Sequence, residues 1–128
     1  MTKILKALAI SAIACIGLTA VAEAHPALES TVPASDKGGT PSPGQVGLKQ
    51  IRLRFSEYVM AKFSGLDLRD KDGRKIATEA PATDPTDPKQ LVVPLIAPLS
   101  PGRYTVTWHA VSADTHRVKG EYTFTIAP

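Results

Sequence analysis

Along the chain, apolar and polar residues alternate with a period of two in several short windows, which is the signature of strands with one buried face. Ile51, Leu53 and Phe55 share one face, while Leu48, Gln50 and Arg52 share the other. Tyr104, Val106, Trp108 and Ala110 alternate with Thr105, Thr107, His109 and Val111. Val118, Tyr122, Phe124 and Ile126 mark a last strand, and Ala27–Val32, Phe63–Leu68 and Gln90–Leu95 mark three more. Asp70-Lys71-Asp72-Gly73 is an Asp-Gly turn, from which Arg74–Thr78 returns as the second arm of a hairpin. No window sustains a 3.6-residue apolar period. About seven short strands with turns every 8–12 residues predict an all-β chain, a β-sandwich or a small Greek-key barrel. Pro33–Gly47 and Glu79–Lys89 are rich in proline and read as loops, since neither can pair as a central strand.

The first 24 residues have a different pattern. Lys3 and Lys6 precede an apolar run from Ala7 to Leu18, and Ala22-Glu23-Ala24 puts small residues at −3 and −1 of a cut. This is an export signal cleaved after Ala24. The apolar run is about 12 residues, against roughly 20 for a bilayer span, so a membrane anchor is the weaker reading. Acylation of Cys15 is weaker too, because Ala12-Ile13-Ala14 is a poor match to a lipoprotein signal. Residues 25–128 form the single mature domain.

Cleavage changes the composition. The mature chain keeps 13 Lys and Arg against 11 Asp and Glu, a balance too even for a polyanion binder. Aromatic residues are 5% of the chain, too few for a stacking platform for single-stranded nucleic acid. The only cysteine, Cys15, leaves with the signal, so disulfides, thiolate ligands and a cysteine nucleophile are excluded. There is no Gly-x-Ser-x-Gly elbow and no glycine-rich phosphate loop. Asp70-Lys71-Asp72-Gly73 lacks the later bidentate glutamate of a calcium loop and remains a turn.

The remaining chemistry lies in three histidines. His25 becomes the first residue, offering an α-amine and a ring Nδ1 as one chelate. Pro26 follows without an amide proton, so the chelate cannot extend along the backbone, and further ligands must come from elsewhere. Asp114-Thr115-His116 is the second candidate: in an extended segment, residues two apart point the same way, so Asp114 and His116 can converge. An amine, two imidazoles and a carboxylate suit tetragonal Cu(II). The bland alternative is an accidental terminal histidine and a solvated turn. His109 reads as structural, facing solvent or the outer sheet surface, and Trp108 as core.

The mature chain resembles the periplasmic CopC/PcoC-type copper-resistance proteins. The likeness is carried by His25-Pro26-x-Leu28, Thr31-Val32-Pro33-Ala34, Leu53-Arg54-Phe55-Ser56-Glu57 and Phe63-Ser64-Gly65. It continues through Leu91-Val92-Val93-Pro94-Leu95, Gly102-Arg103-Tyr104-Thr105-Val106-x-Trp108 and Val111-Ser112-Ala113-Asp114-x-His116-x-Val118-x-Gly120. The resemblance implies a seven-stranded Greek-key β-barrel or sandwich of cupredoxin-like (immunoglobulin-like) shape. It implies one Cu(II) per chain, held by His25, Asp114 and His116, with Glu57 as an acceptor near the amine or a weak ligand. It also implies a non-enzymatic periplasmic carrier, handing copper to a CopD-like inner-membrane transporter. Met60 is the only mature methionine, so no separate Cu(I) site is expected. Thr115 stands where the family usually has glycine, and Tyr58 where proline is frequent. Two other readings compete: a copper oxidase of histidine-brace type, and a metal-free immunoglobulin-like adhesion module.

Overall fold

In the computed structural model, residues 25–36 and 47–128 are described. The expected signal segment and most of the Pro33–Gly47 loop lie outside them. Among the described residues there are eight strands: β1 (Leu28–Val32), β2 (Gln50–Phe55), β3 (Gly65–Arg69), β4 (Lys75–Ile76), β5 (Ala82–Asp84), β6 (Asp87–Pro94), β7 (Gly102–Val111) and β8 (Arg117–Ile126). They form two four-stranded sheets, β1-β2-β6-β5 and β4-β3-β7-β8, in which all pairings are antiparallel. The architecture is therefore a β-sandwich, with one strand more than expected.

The extra strand lies in the segment read as a loop. β5 pairs with β6, Ala82 opposite Val92 and Thr83 opposite Leu91, and the register shifts before Asp84, which pairs with Asp87. Pro81 and Pro85 flank β5 outside its three residues, and Pro88 lies in β6 ahead of Gln90, where the pairing with β2 begins, so no missing N–H interrupts that ladder. Phe63 also differs from expectation. It ends a 3-10 turn, Ala61–Phe63, and the strand starts at Gly65. The Asp-Gly hairpin forms as read: Gly73 has φ 79°, and Asp70 Oδ1 accepts from the amides of Asp72 and Arg74 at 2.9 Å.

The alternating positions meet between the sheets. Ile51, Leu53, Phe55, Leu91 and Val93 face Leu68, Val106, Trp108, Ala110, Tyr122 and Phe124, all buried. Burying each large side chain contributes about 1.5–3 kcal/mol, so this layer holds the domain. The Phe55 and Trp108 rings meet edge-on with centroids 5.3 Å apart. Trp108 lies over Gly120 on the neighbouring strand, where a Cβ would come within 2.6 Å of its ring. The outer face of the first sheet carries ion pairs, Arg54 with Glu29 and Asp87, and Arg52 with Asp84. Exposed pairs of this kind contribute about 0–1 kcal/mol each, so they dress the fold rather than secure it.

Candidate metal centre

One end of the sandwich gathers three stretches of chain. The amide of Ala27 donates to Ser56 Oγ at 2.8 Å, and the amide of Ser56 returns a bond to the Ala27 carbonyl at 2.9 Å. The N-terminal segment is thereby tied to the end of β2. A few residues on, Val59 bridges to Ser112, and the Met60 amide donates to the Val111 carbonyl at 2.8 Å. The corner from Ser56 to Ser64 thus spans from His25 to the β7–β8 loop. Buried Ser64 locks it, donating to the Met60 carbonyl at 2.8 Å and accepting from the Val111 amide at 3.0 Å.

The β7–β8 loop is a tight hairpin. Thr115 N–H donates to the Ser112 carbonyl at 2.9 Å, and Ser112 N–H to the His116 carbonyl at 3.0 Å. Thr115 has φ 70°, in the left-handed region. This is a three-residue loop, a turn followed by a left-handed residue, the position that glycine ordinarily fills. A β-branched residue there is strained by about 1–3 kcal/mol.

Asp114 and His116 do converge, but not by the extended geometry expected. The turn folds the carboxylate back: Oδ2 lies 2.9 Å from His116 Nδ1, and Oδ1 accepts from the His116 amide at 3.4 Å. Oδ1 also accepts from the Ser112 hydroxyl, which is almost wholly buried. These bonds, the Ser112 hydroxyl first and His116 second, hold the Asp114 carboxyl at about 2, well below its ordinary 3.8. Ser112 was missed at the sequence level. Its only signal was its place two residues before a candidate ligand.

His25 reaches the same spot from the other side. Its ring is perpendicular to that of His116, with centroids 4.8 Å apart. The structure thus brings together all three candidate ligands, in pairs. Among the described residues, no three His, Cys, Asp or Glu side chains already close around one point. The fourth proposed donor, the α-amine of His25, is an amide nitrogen while Ala24 precedes it. Glu57 lies on the corner one residue beyond Ser56, half-buried, and has no hydrogen bond or ion pair among the described residues.

His109 stands apart on the outer face of β7, opposite Gly65 and Lys119. Burial first, and the Arg117 charge second, push its pKa below 6.5, against a hydrogen bond to the Phe63 backbone. Its ring packs where a Gly65 Cβ would stand, 3.3 Å from Cε1, which fits the structural role expected of it.

A model of the CopC domain matches residues 28–127. "Protein YobA" of Escherichia coli strain K12 is 41% identical over 103 residues, covering 80% of this chain and 79% of that protein. "Copper resistance protein C" of Escherichia coli is 36% identical over 117 residues, covering 87% and 88%. The crystal structure of PcoC from Escherichia coli, described as a methionine-rich copper resistance protein, superposes with a TM-score of 0.67 at 39% identity. It covers 80% of this chain and 99% of that one. The present chain differs from that description, with Met60 the one methionine among the described residues.

Proposed function

The chain belongs to the CopC family, and from that membership we propose that it is a periplasmic carrier or buffer of Cu(II). Its relatives are copper resistance proteins, which supports a role in copper handling. On this reading the signal is cleaved after Ala24, and His25 then supplies its α-amine and ring. Asp114 and His116 supply a carboxylate and a second imidazole, giving one Cu(II) per chain in a tetragonal nitrogen-rich field. Copper is cargo here and not a catalyst; a carboxylate among the ligands occupies a position that an oxidase would keep open. Glu57 serves as a nearby acceptor for the amine. The receiver is a CopD-like transporter of the inner membrane. With Met60 as the only methionine after residue 24, the mature chain lacks the thioether set that Cu(I) prefers.

The observation that carries this reading is the perpendicular contact of the His25 and His116 rings, 4.8 Å between centroids, with Asp114 Oδ2 2.9 Å from His116 Nδ1. Chain segments nearly 90 residues apart in sequence deliver ligand-type side chains to one exposed spot. The test is a Cu(II) titration followed by EPR on two preparations, one beginning at His25 and one with an extra residue before it. Tight one-to-one binding with a tetragonal nitrogen signal, lost in the extended form, is expected. Equal or absent binding in both would overturn the terminal chelate.

A further inference from the structure

We propose that the end of the sandwich bearing His25, Asp114 and His116 also adsorbs to the anionic headgroups of a phospholipid bilayer. The proposal gives the copper reading a place of action, but its own evidence is separate. Among the described residues, the exposed large apolar side chains are Val32, Tyr58, Phe63 and Ile96. Tyr58 and Phe63, 58% and 53% exposed, stand on the Ser56–Ser64 corner that borders the candidate metal centre. Each ring carries a lysine. Lys89 Nζ lies 5.8 Å from the Tyr58 centroid, and Lys62 Nζ lies 5.6 Å from that of Phe63.

Two further cations adjoin the same corner. Lys119 stands opposite His109, whose ring is hydrogen-bonded to the Phe63 backbone. Arg117 stands opposite Val111, whose carbonyl takes the Met60 amide. None of Lys62, Lys89, Arg117 and Lys119 has a carboxylate within ion-pair distance among the described residues. The acidic groups of this end are Glu29, Glu57, Asp87, Asp114 and Glu121; Arg54 pairs with Glu29 and Asp87, and Asp114 is engaged with His116. Among the described residues, the cations left without a carboxylate, Lys62, Lys89, Arg117 and Lys119, outnumber the carboxylates left without a cation, Glu57 and Glu121, and a bound copper ion adds to them.

The chemistry favours lipid over a protein partner. Aromatic rings capped by lysines suit the headgroup level, the ring among the upper acyl chains and the ammonium at phosphate. Protein interfaces enrich arginine and are depleted of lysine. Two rings also offer far less than the roughly 800 Å² per partner of a stable protein complex.

The test is co-sedimentation with vesicles of phosphatidylglycerol and phosphatidylcholine in equal parts, against phosphatidylcholine alone. Both the metal-free protein and the protein given Cu(II) are measured. Metal-free protein should bind the anionic vesicles at low salt and release as salt rises. Lys62→Gln and Lys89→Gln should each weaken binding about fivefold. Tyr58→Ser with Phe63→Ser should weaken it further, while Ile96→Ser and Arg103→Gln, at the opposite end, should not. Equal adsorption to neutral vesicles, no adsorption, or equal losses from the opposite-end variants would overturn the proposal. Because the metal-free form is tested, failure to bind copper would sink the proposed function and leave this result standing.

Discussion

The buried hydroxyl of Ser112 donates to Oδ1 of Asp114, while Oδ2 of the same carboxylate faces His116 Nδ1 at 2.9 Å. One apolar-lined serine at the end of β7 thus sets the direction of the loop's carboxylate. Ser112→Ala should keep the fold, at a loss of about 1 kcal/mol for the missing bond. It should weaken Cu(II) binding by about 10- to 100-fold, the usual cost of removing a partner that orients a ligand. Competition titration against a chelator measures this. Unchanged affinity would mean that the turn alone orients Asp114.

Acid should act through the same carboxylate. Asp114 is held at about 2 against 3.8. A depressed carboxylate contributes stability that is fully present above the unfolded value and lost as pH falls through the folded one. In metal-free protein the advantage of the parent over Asp114→Asn should therefore hold above pH 3.8 and vanish as pH approaches 2. Chemical unfolding at a series of acid pH values tests this, and a gap that persists below that window would contradict it. Copper binding should weaken at higher pH than this, since the ion must displace protons from its nitrogen ligands.

Thr115 is strained for the sake of the turn. Its φ of 70° belongs to the left-handed region, which costs a β-branched residue free energy. Thr115→Gly should raise stability by about 0.5–1 kcal/mol, the relief being partly offset by the greater freedom of glycine in the unfolded chain. A rise in the urea midpoint with an unchanged slope would bear this out.

Gly120 is required by Trp108. A methyl group there would meet Cζ2 at 2.6 Å and Cε2 at 2.8 Å in a packed core. Gly120→Ala should destabilise by about 1–3 kcal/mol and alter the near-ultraviolet dichroism of Trp108. A neutral result would mean that the ring has room to tilt.

The sequence by itself determined the fold class, because alternation is local: β2, β7 and β8 each place every second residue in the core. Trp108 was legible as core for the same reason. The candidate ligands were legible as residue types, His25 from its place just after the expected cleavage point and Asp114 and His116 from their spacing. The β5–β6 hairpin was not legible. Its prolines erase the local pattern, and β5 is only three residues long, too short to display an alternation. Nor was the reason for the Asp114–His116 contact, which comes from a left-handed residue closing a turn rather than from an extended strand. The meeting of His25 with His116 was decided by tertiary structure alone. It follows from the bonds of Ala27 to Ser56 and of Met60 to Val111, which join three segments at one end of the sandwich. No local pattern encodes such a meeting, because it exists only once the two sheets have packed.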